Sequence, residues 1–211
     1  MESEKLYRVK KEDLPQLEKL LSVCFAHDPL YETLIPDPEV RSRLLPELFH
    51  CDMDEFFETC EIFADSPDLN GILVVSDEAE PYNMLQFYYA ELKAVLQTDS
   101  FLIKEDPSLH TFLNFLKGED YLNSRWTGQL HQNRRLHIIY LAVNPQMQHH
   151  GIAAHLLEEA ISYAQAHKLM ISLETHNEKN VAFYERFGFK LYGVMKKHFS
   201  LKQYCLVREV Q

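Results

Sequence analysis

Residues 148–153 (QHHGIA) link a run of apolar residues to an amphipathic run, and their composition suits the binding of an anion. Gly151 stands at the start of the amphipathic run, where a missing Cβ allows a ligand to come close to the backbone. The first N–H groups of a helix have no partner inside the helix and lie at the positive end of its dipole. Such a turn suits a diphosphate. The alternative is an ordinary junction between a strand and a helix, where glycine is common.

The pattern of a second segment, residues 173–189 (LETHNEKNVAFYERFGF), predicts a strand, a turn and a short helix. Asn177 is a favourable cap for the start of this helix, and Gly188 is a favourable residue just after its end. Tyr184 lies on the helix and offers a phenolic proton. A tyrosine packed in the core, with its hydroxyl bound to water, is the alternative reading of this residue.

Alternating strands and helices must hold these two segments in place, which indicates an α/β domain. The strands are predicted at residues 136–143, 170–174, 190–195 and 199–207, and the helices at 152–166 and 179–187. Upstream, short strands are predicted at 5–9, 61–64 and 71–76, and helices at 12–25 and from Asp37-Pro38 onwards. Residues 82–130 are helical in pattern, with breaks near Pro107 and Gly118. We expect one domain over residues 1–211, with parts 1–81, 82–130 and 136–211.

Composition narrows the classes of function. The net charge of −11 disfavours nucleic acid and would attract a cationic small molecule or a basic peptide. Four scattered cysteines favour a reducing cytoplasm over a disulfide framework or a zinc site. No run approaches the 18–20 apolar residues of a membrane span, and residues 1–11 lack the apolar core of a signal peptide. We therefore expect a cytoplasmic protein with no metal and no membrane partner.

The two segments resemble the acetyl-CoA-binding motifs of the GNAT superfamily of N-acetyltransferases. Residues 148–153 match the pattern Q/R-x-x-G-x-G/A, with Ala153 in place of the commoner glycine. Asn177, followed by residues 184–189 (YERFGF), matches the pattern N-x(6)-Y-E-[KR]-x-G-F. Together they cover a core of roughly residues 136–211, whereas residues 82–130 match nothing familiar. The resemblance implies a mixed, mostly antiparallel sheet of six to seven strands flanked by helices, with residues 82–130 as a helical insertion.

The resemblance also implies where acetyl-CoA binds. The strand ending at Val143 would splay from the next strand, so that backbone groups of Leu141 and Val143 pair with the pantetheine arm. Backbone N–H groups of the loop would hold the diphosphate, and histidines there would make the affinity pH-dependent. The residues so assigned to the cofactor are Leu141, Val143, Gln148, His149, His150, Gly151, Ile152, Ala153, Asn177, Asn180 and Tyr184.

The implied reaction is direct attack of a primary amine on the thioester. Tyr184 would protonate the departing thiolate, and a backbone N–H near Val143 would stabilise the oxyanion. Glu174 is our candidate for the base, with Glu91 and His137 as alternatives. Phe87, Tyr88, Tyr89 and Trp126 could wall the amine pocket, and the alternative is that they belong to the core, as aromatic residues at this density usually do.

The expected partners are acetyl-CoA and a small amine, with a homodimer as a possible assembly. Two other functions stay open. One is acetylation of a protein or peptide amine, and the other is a non-catalytic module that binds or senses acyl-CoA.

Overall fold

The computed structural model describes residues 1–81 and 83–210, and Tyr82, where the predicted helical insertion begins, lies outside them. Among these residues the α-helices are α1 (Leu14–Phe25), α2 (Pro29–Leu34), α3 (Pro38–Thr59), α4 (Met84–Glu105), α5 (His110–Lys117), α6 (Ile152–His167) and α7 (Lys179–Glu185). The strands are β1 (Tyr7–Arg8), β2 (Glu61–Ala64), β3 (Gly71–Asp77), β4 (Arg135–Val143), β5 (Met170–Thr175), β6 (Lys190–Met195) and β7 (Gln203–Arg208).

All seven strands form one sheet in the order β1-β2-β3-β4-β5-β7-β6. The central pair β4–β5 is parallel, and the other neighbouring pairs are antiparallel. The crossover between β4 and β5 is α6, as a parallel pair requires. The predicted fold class, a mostly antiparallel sheet flanked by helices, is confirmed.

The helix starts follow from local side-chain chemistry. Asp37 accepts hydrogen bonds from the N–H groups of Glu39 and Val40, and Pro38 occupies the first helical position. Asp28 caps α2 in the same way. Asn83 caps α4 by accepting from the N–H groups of the first turn. The predicted break near Pro107 is the gap between α4 and α5.

Two predicted strands are shorter in the structure. The β1 ladder with β2 contains Tyr7 and Arg8, and Val9 adds one hydrogen bond from its N–H to the carbonyl of Ile62 before the chain turns into a short 3-10 helix at Lys11. At the other end, β7 starts at Gln203 rather than at residue 199. Leu201 packs into the core there, and its carbonyl accepts a hydrogen bond from the Tyr121 hydroxyl instead of a strand partner.

The core has one layer on each face of the sheet. Ile72 and Val74 point into the layer formed with α1, α2, α3, α4 and α5. Leu73 and Val75 point into the layer formed with α6 and α7. This alternation is the period of two expected of a strand that is buried on both faces. None of the described helices is both long and apolar enough to cross a membrane.

Candidate functional site

The two parallel strands at the centre of the sheet separate partway along their length. Residues 135–138 of β4 pair with residues 170–173 of β5, and the pairing stops there. The rest of β4, up to Val143, pairs only with β3. The sheet therefore opens into a gap with an unpaired backbone edge, which could accept an extended ligand as an added strand.

A bulge in β4 lies where the gap begins. Val74 of β3 is opposite Tyr140, but Val75 is opposite Ile138, so Ile139 is an extra residue. Ile139 and Tyr140 consequently both pack on the α1–α5 side of the sheet. The Tyr140 hydroxyl donates a 2.6 Å hydrogen bond to Asp52 of α3.

Backbone alternation settles which groups of β4 face the gap. The N–H of Asn144 donates to the carbonyl of Asn70, on the β3 side. Leu141 and Val143 therefore direct their N–H and C=O groups to the opposite side, into the gap. The carbonyl of Val143 already has two weak donors there, Cys24 Sγ at 3.3 Å and Gln148 Nε2 at 3.4 Å.

The loop before α6 exposes a set of backbone donors. Gly151 has φ +83, and a Cβ added to it would meet nothing within 4 Å. The first backbone hydrogen bond of α6 runs from the N–H of His155 to the carbonyl of Gly151. The N–H groups of Ile152 and Ala153 therefore have no partner within the helix. His150 is turned back onto the loop, with Nδ1 2.9 Å from the carbonyl of Gln148. The open space and free donors fit an anionic group at this turn.

Tyr184 on α7 belongs to the core layer that contains Leu173 of β5 and contacts Leu141 of β4. Its side chain is 7% exposed, and its ring packs edge-on against Phe183 and Phe189. The hydroxyl makes no hydrogen bond to any of the residues that the structure describes. Burial raises the pKa of the phenol, so it stays protonated at neutral pH. The geometry leaves a protonated donor available to a ligand.

Glu174, at the end of β5, is held by three neighbours. Oε1 accepts a 2.6 Å hydrogen bond from Ser124 Oγ, and Oε2 accepts a 2.8 Å hydrogen bond from Trp126 Nε1. His137 Nε2 lies 3.5 Å from Oε2. Burial alone would raise the pKa of Glu174, but the charge of His137 and these hydrogen bonds outweigh it and hold the pKa below its usual value.

A cavity of about 670 Å³ joins the gap to the helices on one face of the sheet. Seven carboxylates line it: Asp28, Asp52, Glu55, Glu91, Asp99, Glu119 and Glu174. Arg125 is the one permanent cation among its described lining residues, since burial lowers the pKa of His176. Such an excess of negative charge in a partly enclosed space favours a cationic ligand.

Three of these carboxyl groups have raised pKa values. Burial raises the pKa of Asp28 and that of Asp52 to about 6. The pKa of Glu55 is raised to about 7, by burial first and then by the charges of Asp52 and Glu91. The carboxylate of Glu55 makes no hydrogen bond to the described residues. A carboxyl group with a pKa near neutral pH is matched to accepting a proton from a substrate.

The structure brings only some of the predicted site residues into one cavity. Leu141, Glu174, Asn180 and Tyr184 line it together, as does the alternative base Glu91. Val143, Asn177 and the loop 148–153 lie outside this lining, and His137 is buried behind Glu174.

The two asparagines make local hydrogen bonds. Asn177 Oδ1 accepts from the N–H of Lys179, as expected of a cap, although the helix itself begins one residue later than that cap position implies. Asn180 Nδ2 donates to Thr175 Oγ1 at the end of β5. The Asn180 amide and the backbone N–H of Asn177, which donates to the same Thr175 hydroxyl, thus tie the start of α7 to the strand that borders the gap.

The predicted aromatic wall of the pocket is wrong. Tyr88 and Tyr89 are exposed, Trp126 is turned toward Glu174 and Tyr192, and neither these residues nor Phe87 line the cavity. The aromatic lining instead consists of Tyr184 and seven further rings: Phe25, Tyr31, Phe56, Phe112, Phe115, Tyr121 and Tyr140.

Asp52 and Glu55 are lining residues that the sequence reasoning missed. They lie three residues apart on α3, so they share a face, and Met53 and Phe56 beside them belong to the apolar face. In the sequence, two carboxylates at the border of an apolar helix face were the signal that could have identified Asp52 and Glu55 as residues of the site.

The sequence matches the family model described as the acetyltransferase (GNAT) family over residues 39–189. No curated protein matches the chain. Among residues 1–81 and 83–210, no three His, Cys, Asp or Glu side chains form a group that could hold a metal ion.

Several solved structures share the fold at low identity. An HPA2-related acetyltransferase from Corynebacterium glutamicum is 14% identical, with a TM-score of 0.63 and coverage of 98% of this chain and 96% of that one. The PaiA N-acetyltransferase of Thermoplasma acidophilum, solved with coenzyme A, is 12% identical, with a TM-score of 0.57 and 97% coverage of both chains. A polyamine N-acetyltransferase of Drosophila melanogaster is 14% identical, with a TM-score of 0.53 and coverage of 97% and 99%.

Proposed function

Because this chain belongs to the acetyltransferase (GNAT) family, we propose that it transfers an acetyl group from acetyl-CoA to a primary amine of a small cationic molecule. The observation that carries this proposal is the continuity of one cavity. The same space that touches Leu141 and Tyr184 at the open edge of β4 also touches Asp52 and Glu55 on α3. A thioester in the gap and an ammonium group among the carboxylates would share it.

The donor side follows from backbone geometry. The diphosphate of acetyl-CoA would bind the free N–H groups at the start of α6, where Gly151 leaves room. The pantetheine arm would then extend along the backbone edge of Leu141 and Val143. This path ends beside Tyr184, whose hydroxyl would donate to the sulfur as the thiolate departs.

The acceptor side follows from charge and size. The cavity volume falls within the roughly 300–1,000 Å³ typical of small-molecule sites. Its carboxylates attract an alkylammonium ion, while aromatic rings such as Phe112 and Tyr140 cover the apolar part of the molecule. The Drosophila enzyme of the same fold acts, by its name, on polyamines, which are also cationic.

The amine must lose a proton before it attacks, because a free alkylamine is mostly protonated at pH 7. Glu174 is the base that we proposed from the sequence, and it borders the gap. Glu55 is a second candidate, favoured by its pKa of about 7 and its free oxygens. A backbone N–H near Val143 would stabilise the oxyanion formed by attack. A single domain, a cytoplasmic location and a homodimer stay predictions as well.

A panel of acceptors tests the proposal. Release of CoA thiol would be measured with an arylalkylamine, a diamine, agmatine, a neutral amide and a lysine-containing peptide. We expect the cationic small amines to have a kcat/KM at least 100-fold above that of the peptide. Preference for the peptide would favour acetylation of protein amines. Tight acetyl-CoA binding without turnover of any amine would favour a non-catalytic acyl-CoA-binding module.

A further inference from the structure

Helix α4 is apolar on two opposite faces. Its inner face packs on the core through buried residues such as Ala90 and Ala94, and its polar Gln86 and Lys93 bind Glu58 and Asp54 of α3. Its outer face carries eight large apolar side chains that are between 45% and 83% exposed: Met84, Leu85, Tyr88, Tyr89, Leu92, Val95, Leu96 and Ile103. A helix that is apolar on opposite sides is normally covered on both.

The spacing on the outer face is that of a helix-pairing seam. The positions alternate by four and three residues through Leu85, Tyr89, Leu92, Leu96, Asp99 and Ile103. This is the a/d repeat by which one α-helix packs lengthwise on another. Asp99 is the one charged residue in the seam, and its carboxylate makes no hydrogen bond to the described part of the chain.

We propose that the outer face of α4 binds α4 of a second copy of this chain, antiparallel, about a two-fold axis at the level of Ala94. In that register each a position meets a d position of the other helix, as antiparallel seams require. Leu92 faces Leu96 of the second copy, and Leu85 faces Ile103 of the second copy. The leucine and isoleucine positions of the seam then all have apolar partners. The remaining two positions, Tyr89 and Asp99, form one polar pair on each side of the axis.

That polar pair selects the antiparallel arrangement. Tyr89 of one copy lies opposite Asp99 of the other, where a phenol hydroxyl can donate to the carboxylate. A parallel pairing would instead place the two Asp99 carboxylates against each other, which is repulsive in an apolar seam. One polar contact in an otherwise apolar seam is a known device for setting register and orientation.

The dimer would border the proposed acceptor site. Asp99 and Val95 line the cavity as well as the outer face of α4. Tyr89 of the second copy therefore stands at the mouth of the cavity, beside one of its carboxylates. Dimer formation itself rests on the seam alone, so it stands or falls independently of the acetyltransferase activity.

Sedimentation of the purified full chain tests the interface. We expect the wild-type protein to have twice the mass of one chain, and Leu92→Glu/Leu96→Glu to raise the dimer dissociation constant at least 100-fold. Leu191→Glu is the matched control, because Leu191 is 45% exposed on β6, away from the seam, and it should leave the dimer intact. A monomeric wild type, with or without binding to phosphatidylcholine vesicles, overturns the proposal. So does a dimer that the double variant leaves unchanged.

Cross-linking tests the register. Under oxidation, a mixture of Leu92→Cys and Leu96→Cys chains should form a mixed disulfide dimer, whereas each variant alone should stay uncross-linked. Wild-type protein controls for the native thiols, two of which are buried. Efficient disulfides in each variant alone would show a parallel pairing and overturn the antiparallel register.

Discussion

At the scale of single residues, two glutamates of one cavity differ because their neighbours differ. Glu174 accepts hydrogen bonds from Ser124 and Trp126 and lies beside His137, which stabilises its charged form. Glu55 is half-buried beside other carboxylates, and both the partial burial and the neighbouring charges destabilise its charged form. The first arrangement suits a fixed carboxylate, and the second suits a group that exchanges protons near neutral pH.

The pH profile of kcat/KM separates the two candidate bases. If Glu55 is the base, activity rises with pH through about 7, since the group must lose its proton to act. Glu55→Gln should then remove this limb and lower kcat/KM by about 10²-fold. A limb that persists in Glu55→Gln, together with a similar loss in Glu174→Gln but not in Ser124→Ala, would instead identify Glu174.

Tyr184→Phe tests the proposed proton donor. The change keeps the ring that packs on Phe183 and Phe189 but deletes the hydroxyl, so the melting temperature and acetyl-CoA affinity should stay near wild type. Turnover should fall by about 10²-fold if the hydroxyl donates to the thiolate in the transition state. Tyr192→Phe, at a half-exposed tyrosine, is the control. A loss below ten-fold would mean that the hydroxyl only positions the thioester.

At the scale of elements, strand geometry and a helix start create the proposed donor site. The bulge at Ile139 and the end of pairing after Ile138 open the sheet beside Leu141. Helix α6 then begins at Ile152 from a glycine with positive φ, which brings its unpaired N–H groups to the end of the same strand. The open edge of β4 and the start of α6 offer backbone N–H and C=O groups rather than reactive side chains. The proposed donor site is therefore formed by the backbone.

Substitutions at Gly151 test whether the diphosphate of acetyl-CoA binds at this turn, and a comparison of two of them shows the effect of backbone strain. Gly151→Val places a branched side chain in the open space at the loop, and we expect acetyl-CoA affinity measured by calorimetry to fall at least ten-fold, about 1.4 kcal/mol. Gly151→Asn tolerates the positive φ better, so its melting temperature should exceed that of the valine variant. Unchanged affinity in a folded Gly151→Val protein would rule out a diphosphate at this turn.

At the scale of the whole molecule, negative charge is concentrated around one cavity. The net charge is −11, and three lining carboxyl groups, Asp28, Asp52 and Glu55, have raised pKa values. A carboxyl group with a raised pKa binds its proton more tightly in the folded state than in the unfolded state. Its contribution to the stability of the folded state is fully present below about pH 4 and is lost as the pH rises to about 7.

These three groups should therefore contribute less to the free energy of unfolding at pH 7.5 than at pH 5. Asp52→Asn removes one of the ionisations while keeping an acceptor for the Tyr140 hydroxyl. We expect the variant to gain about 1 kcal/mol at pH 7.5 and nothing at pH 4, measured by urea unfolding. Asp68→Asn, at an exposed aspartate that does not line the cavity, is the control. A variant less stable at pH 7.5 would mean that the Asp52 carboxylate is stabilised in place.

The sequence by itself determined the order of elements, the glycine turn before α6 and the Asn177–Tyr184 segment. Caps, periodicity and glycine turns act over a few residues, so each of these features is legible in a short stretch of chain. Tertiary structure alone decided what surrounds the reactive groups. Ser124 and Trp126 are 50 and 48 residues from Glu174, and Asp52 is 88 residues from Tyr140. Burial and neighbouring charge set a pKa, and both depend on which distant elements the sheet brings together.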